Sequence, residues 1–211
     1  MTDREALLAA VCADPDSDLP RLAFADWCDD HGDRDRAEFI RLQLEHARLP
    51  ATDPRRGLAL LPRAAESYAR ERRRWVGELP SSKGASWVDH PGTGHEFPAF
   101  DRGFASHLRV SNDRELAAAA VTHFTATPVR VLFVQRLRSA RGLLGVAPPQ
   151  SLRRVEVFEL PREEAEVLEH CPLLEPAAEI VLPLAALPTD TRRRLRERFG
   201  DRLLRSANHY E

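Results

Sequence analysis

Long apolar runs, clustered cysteines and lysine are all scarce in this chain of 211 residues. No stretch approaches the roughly 18 apolar residues needed to span a bilayer, so no membrane helix is predicted. The opening Met1-Thr2-Asp3-Arg4-Glu5 is charged and acidic. It lacks the basic start and apolar core of a signal peptide, and the expected location is the cytoplasm. Cys12, Cys28 and Cys171 are too few and too scattered for a disulfide framework or a zinc site, and read as small buried thiols. Lys83 is the only lysine, so the basic side is almost entirely arginine. With 31 basic and 33 acidic residues the chain is close to neutral, which removes the usual electrostatic case for a nucleic-acid partner.

The motifs of common enzyme classes are missing too. There is no G-x-S-x-G, no phosphate-binding Walker loop, no H-E-x-x-H and no G-x-G-x-x-G. The eight histidines form no i, i+4 pair. Gly92-Thr93-Gly94-His95-Glu96 is a glycine-flanked loop with a titratable pair, but nothing else commits a catalytic partner to it. The expectation is a protein that is not an enzyme and that carries no cofactor and no metal. A hydrolase using Asp26 to Asp35 or His95-Glu96 is the third choice among function classes.

What is present suits a folded chain: 43% hydrophobic and 30% charged residues. Arginine forms planar, bidentate pairs with carboxylates, so dense arginine–carboxylate networks are expected. A GC-rich genome would also enrich arginine. Thr2-Asp3-Arg4-Glu5 is a capping box opening a first helix with Leu7, Leu8 and Val11. A second helix starts near Leu19-Pro20 with Asp18 as N-cap, places Leu19, Leu22, Ala23 and Trp27 on its apolar side, and ends at Gly32. A third runs from about Asp33 to Leu49, with Ala37, Ile40, Leu44 and Ala47 on one face. Trp27, Ile40 and Leu44 are expected in one core. Asp53-Pro54 opens further helix, with Leu58, Leu61, Ala65, Tyr68 and Trp75 on a face and a kink near Pro62. The chain reads as all-helical up to residue 79.

The character then changes. Residues 80–94 form a loop rich in Gly, Ser and Pro, with a short strand possible at Trp87-Val88. Beyond it a spaced apolar pattern recurs: Ala105-x-x-Leu108-x-Val110, Val129-x-x-Leu132-x-Val134, Leu152-x-x-Val155-x-Val157 and Ala177-x-x-Ile180-x-Leu182. The middle positions step by 24, 23 and 25 residues. Helical stretches lie between, at 112–124 (Leu116, Ala120, Val121 and Phe124 on one face), 162–170 (Ala165, Leu168) and 189–199. Strands of this pattern at such a period are the leucine-rich-repeat signature. The Asn or Cys that normally follows the strand is absent; Leu137, Leu160 and Ala185 stand there. A generic parallel α/β domain fits the same alternation.

The first fifty residues carry a further likeness. Ala6-Leu7-Leu8-Ala9-Ala10, Asp14-Pro15-Asp16, Pro20-Arg21-Leu22, Ala25-Asp26-Trp27, His31-Gly32-Asp33 and Arg36-Ala37-Glu38-Phe39-Ile40-Arg41-Leu42-Gln43 resemble, in that order, the repeat-companion domain. That family occurs mainly in planctomycetes and myxobacteria, usually ahead of leucine-rich repeats. Arg102-Gly103-Phe104, Thr127-Pro128-Val129-Arg130 and residues 195–202 look like the divergent repeats that follow it. The resemblance implies an architecture and a bacterial source, and no activity. The expected fold is α/β: a helical companion domain over residues 1–50, connecting helices over 51–80, and a degenerate leucine-rich-repeat-like β/α solenoid with a parallel sheet over 81–211.

Two acidic or basic constellations look structural. With Gly32 at position 6 of a calcium-binding EF-hand loop, Glu38 falls at position 12, but position 1 is Trp27 and position 5 is His31, so the loop fails. Arg21, Asp26, Arg36, Glu38 and Arg41 are expected to tie neighbouring helices together. Arg70 to Arg74 and Arg192 to Arg198 are basic helix faces; an accessory role in a nucleic-acid complex would use these, and is the alternative function.

The leading expectation is a non-catalytic adaptor or scaffold that binds another protein through the sheet. Strand side chains alternate, so the residues between the repeated apolar positions fall in rows facing the other way. The rows are His107, Val131, Arg154 and Glu179; then Arg109, Phe133, Glu156 and Val181; then Ser111, Gln135, Phe158 and Pro183. Apolar groups beside charges suit a binding hot spot. The candidate partner-binding residues are His107, Arg109, Val131, Phe133, Gln135, Arg154, Glu156, Phe158 and Val181. Packing of that face against other parts of the chain would equally explain its apolar members.

Overall fold

The computed structural model describes residues 2–87 and 100–205, and the chain is mixed α/β. It divides into two units, Met1–Pro80 with Trp87–His107 and His123–Pro128, and Ser81–Ser86 with Leu108–Thr122 and Val129–Glu211. No helix among the described residues is long and apolar enough to cross a membrane. Val88 and the Gly92–Glu96 loop lie outside the described residues.

The first unit begins with three helices, α1 (Asp3–Ala13), α2 (Leu19–Asp30) and α3 (Arg34–Arg48). Their boundaries follow local chemistry. The Thr2 hydroxyl accepts the Glu5 N–H while the Glu5 carboxylate accepts the Thr2 N–H, a complete capping box. Pro20 is tolerated in the first turn of α2 because its missing N–H would have no helical partner there. Gly32, at φ +81°, takes the left-handed position that ends α2. The Asp33 carboxylate then accepts the Arg36 N–H and starts α3.

The faces differ from those the spacing predicts. In α2 the buried positions are Arg21, Phe24, Ala25 and Cys28, while Leu19 is 75% exposed and Ala23 is exposed. These four stand at i, i+3, i+4 and i+7, a regular helical face whose first member is an arginine. Trp27 is half-buried at the rim, stacked on His31 with ring centroids 4.1 Å apart. Helix α3 is buried on two sides. Ala37, Ile40 and Leu44 join Val11, Phe24 and Cys28 in one cluster, with Trp27 packed against it. Phe39 and Leu42 join Leu60, Ala64 and Trp75 in a second. Ala47 is exposed.

A single π-helical stretch, Arg56–Leu60, leads into α4 (Leu61–Gly77). Pro62 accounts for it: its ring clashes with the carbonyl of residue 58, and the widened turn, closed by the Leu61 N–H on the Arg56 carbonyl, accommodates it. The wide turn also rotates the buried face. Leu60, Ala64, Ser67 and Trp75 point inward, whereas Leu58, expected inside, is 82% exposed, and Ala65 is exposed too.

Strand β1 (Ala85–Trp87) follows, then a two-stranded antiparallel hairpin of β2 (Phe100–Asp101) and β3 (Phe104–Ala105). The hairpin belongs to the first unit and completes both of its cores: Phe104 enters the first cluster, Phe100 and Ala105 the second. Its turn residues, Arg102 and Gly103, both have positive φ, at 49° and 87°. That is the backbone of a tight hairpin turn, unusual for arginine. Arg102 is held there by its guanidinium on the Asp18 carboxylate and on the Asp16 carbonyl, the latter at 2.8 Å, and Gly103 N–H donates to the Gln43 side-chain oxygen.

Strand β4 (His107–Asn112) and helix α5 (Asp113–Ala126) come next. In α5 the buried residues are Asp113, Leu116, Ala119, Ala120, His123 and Phe124; Val121, expected among them, is 76% exposed. The second unit holds the sheet, in the order β1-β4-β5-β6-β7-β8, with β5 (Val131–Arg136), β6 (Arg154–Glu159), β7 (Glu179–Leu182) and β8 (Leu203–Arg205). From β5 to β8 every pairing is parallel. Helix α6 (Thr189–Phe199) packs on the segment Arg162–His170. That segment is a run of 3-10 turns rather than an α-helix, bracketed by Pro161 and Pro172, whose nitrogens cannot donate. It still buries Ala165 and Leu168.

Side chains link successive strand entries. The Thr127 hydroxyl donates to the Ala105 carbonyl at 2.6 Å, and the Ser151 hydroxyl to the Val129 carbonyl at 2.8 Å, both across 22 residues. Arg202 reaches the Ala177 carbonyl at 3.0 Å. Ala105, Val129 and Ala177 are the first apolar positions of three of the four recurring segments. Asp113 and Glu164 do related work. Asp113 accepts the Arg138 and Ser139 N–H groups, and Glu164 accepts the Ser139 hydroxyl and the Ala140 N–H.

Candidate functional site

From β5 to β7 the parallel register aligns members of the first two rows. Val131 pairs with Arg154 and Arg154 with Glu179; Phe133 pairs with Glu156 and Glu156 with Val181. Between these rows Leu132, Val155 and Ile180 are aligned and fully buried.

Exposure along the rows departs from the expectation. His107, Val131, Phe133, Glu156 and Val181 are buried, Phe133 completely, so none of them offers a solvent-facing surface. Arg109 and Arg154 are half-buried, and Gln135 and Phe158 are exposed, Phe158 at 37%. The reason is legible in β5 itself. Val131-Leu132-Phe133-Val134 is an unbroken apolar run, the mark of a strand covered on both faces, and all four side chains are buried. Only at its end, at Gln135 and Arg136, do both faces become exposed.

What remains open is the carboxyl end of β5 and β6. Arg136 and Glu159 pair in register, Nε to Oε2 at 2.5 Å, on exposed side chains. The Arg136 hydrogen bond holds the Glu159 carboxyl below its ordinary range, against a small opposing effect of burial. Phe158 stands next to Glu159 in the chain. At the amino end, Arg154 bridges Glu156 and Glu179, each at 2.5 Å. The Glu156 side chain is 6% exposed, and Arg154 is its ion-pair partner.

The acidic stretch of the first unit is engaged by arginines. Arg41 holds Asp26 and Asp29, both at 2.6 Å, tying α2 to α3. Asp33 binds Arg74 through both carboxylate oxygens, Asp35 binds Arg70, and Glu38 binds Arg63, tying α3 to α4. Among the described residues no cluster of three or more His, Cys, Asp or Glu is arranged to hold a metal ion. Arg21 and Arg36 behave differently from the expected ties. Arg21 is fully buried, donates to the Ser17 carbonyl and lies over the Phe104 ring. Arg36 lies against Trp75, Phe100 and Phe104.

The basic faces are similarly occupied. Arg70 and Arg74 carry carboxylate partners, and on α6 Arg193 pairs with Asp190 and Glu197, Arg194 with Glu166 and Glu169, and Arg198 with Glu175. Comparison with protein-family models, with curated proteins and with solved structures finds no match for this chain.

Proposed function

We propose that this protein is a non-catalytic interaction module: a companion-type helical domain followed by a short leucine-rich-repeat-like solenoid, binding another protein. The repeat reading rests on the steps of 24, 23 and 25 residues between the recurring positions, of which Leu132, Val155 and Ile180 stand aligned in the sheet. It is supported by the hydroxyl-to-carbonyl links of Thr127 and Ser151, which do between neighbouring segments what the missing Asn would do. The observation that carries the functional reading is the open strip at the carboxyl ends of β5 and β6. There Phe158, 37% exposed, directly precedes Glu159 in β6, and the exposed Gln135 holds the matching place in β5, between Val134 and Arg136. An exposed aromatic with an exposed polar neighbour suits a binding hot spot. The engaged arginines of α4 and α6 lend the nucleic-acid alternative less support than their number suggests.

Affinity capture from the native host tests the reading. Wild-type protein retains a partner that Phe158→Ala loses at an unchanged melting temperature. Retention of every partner by the variant removes this strip as the site. Capture that collapses steeply as salt rises, with nucleic acid in the eluate, favours the alternative.

A further inference from the structure

Arg63, Arg70 and Arg74 pair with carboxylates, whereas Arg36 lies among rings. The Arg36 guanidinium sits 4.8 Å from the Trp75 ring centroid, 5.1 Å from that of Phe100 and 5.6 Å from that of Phe104. Its Nη1 is buried without a hydrogen-bond partner among the described residues, and so is the Trp75 indole nitrogen. The carboxylates nearest in charge are already engaged: Asp33 by Arg74, Glu78 by Arg4 at 2.8 Å. Cys28 also faces Arg36, but burial pushes its thiol up to about 11, so it is neutral near pH 7 and supplies no counter-charge. Burial lowers Arg36 itself to about 10, which still leaves it a cation at neutral pH.

Both donors border the same aromatic cluster, and among the described residues neither has an acceptor. A buried donor left unsatisfied is costly, and a cation among rings is only partly compensated. Arg36 as a whole keeps part of its surface, although its Nη1 and the indole nitrogen are themselves buried. We propose that Arg36, with the Trp75 indole N–H, is a binding site for a carboxylate. The planar fork of a guanidinium matches a carboxylate with two parallel hydrogen bonds, and the rings beneath fix its plane. Asp33 and Glu78 set the charge of the ligand. A monoanion gains from Arg36 more than it loses to them, whereas a dianionic phosphate brings a second charge toward both.

The test uses the full chain carrying Trp27→Phe and Trp87→Phe, so that fluorescence reports Trp75 alone. Sodium acetate is titrated at constant ionic strength against chloride, with phosphate at pH 8 as the dianion. The expected result is a saturable emission change with half-saturation at about 1–10 mM acetate. Phosphate gives a weaker response, Arg36→Lys binds about tenfold more weakly, and Arg36→Gln shows no saturation. A response shared equally by chloride, no saturation up to 100 mM, or an unchanged titration in Arg36→Gln overturns the proposal. Should Arg36→Gln fail to fold, Arg36→Lys, which keeps the cation over the rings, decides the matter alone: unaltered acetate affinity in that variant also overturns it.

Discussion

Gly103 stands directly against Ile40. A Cβ on Gly103 would lie 2.5 Å from Ile40 Cγ1 and 2.9 Å from its Cα, closer than real side chains come. The hairpin tip thus presses on the helix that carries both clusters of the first unit, and only glycine fits at φ +87°. Gly103→Ala is expected to cost about 2–3 kcal/mol, combining backbone strain with an overlap against helix backbone. Gly32, at φ +81° with nothing within 4 Å, isolates the first of these, and Gly32→Ala should cost about 1 kcal/mol. Urea unfolding of the two variants checks the order.

Phe39 is completely buried, with ring centroids 4.8 Å from Trp75 and 5.9 Å from Phe100. Phe39→Ala should lower stability by about 3–5 kcal/mol. Trp27, half-buried at the rim of the other cluster, should cost only about 2 kcal/mol on truncation. Thermal melts of both, compared at the same protein concentration, separate core from rim; a larger loss for Trp27→Ala would contradict this packing.

Asp33 gives stability a pH dependence. Burial would raise its carboxyl, but the Arg74 hydrogen bonds and charge, with the Arg36 N–H, outweigh that and hold it below the ordinary value. Glu164 is likewise lowered, first by the Ser139 hydroxyl and also by backbone N–H groups. A carboxyl depressed on folding contributes stability that is complete above its unfolded value, about pH 4, and is lost as pH falls through the folded value. Stability should therefore hold from neutrality to about pH 5 and decline below about pH 4. In Asp33→Asn that decline should be shallower, as read by denaturant midpoints across the acid range.

The hydroxyl links make a further case. Ser151 is buried and donates to the Val129 carbonyl, so Ser151→Ala leaves that acceptor without its side-chain partner. Thr127→Val does the same at the Ala105 carbonyl while keeping the shape. Each should cost about 1 kcal/mol. Because the two lie in different units, their effects should add, which a double variant measures.

Features set by neighbouring residues were readable from the sequence. The Thr2 box, the Asp33 cap and the Gly32 stop are chemistry between residues a turn apart, and the row register follows from a spacing that alternation cannot alter. Faces were harder. Arg21 heads a regular buried face, and because arginine is not counted as apolar the stripe was read one residue off, through Leu19 and Ala23. Pro62 marked a kink, but not that a wide turn before it would rotate Leu58 outward. The 100–105 hairpin carries a single turn signal, Gly103, since arginine at positive φ is held by Asp18, eighty-four positions away in sequence. Likewise, alternation says which way Phe133 points and nothing about what covers it.

Strand β5 has a neighbour hydrogen-bonded along each edge, and its first four side chains are all buried. Its amides should then be among the last in the second unit to exchange with deuterated solvent, opening only when the whole sheet does. The π turn at Arg56–Leu60 is the opposite extreme, mostly exposed and widened, and its amides should exchange orders of magnitude sooner. One continuous chain would thereby carry two clocks, and the slower is set by four consecutive apolar residues.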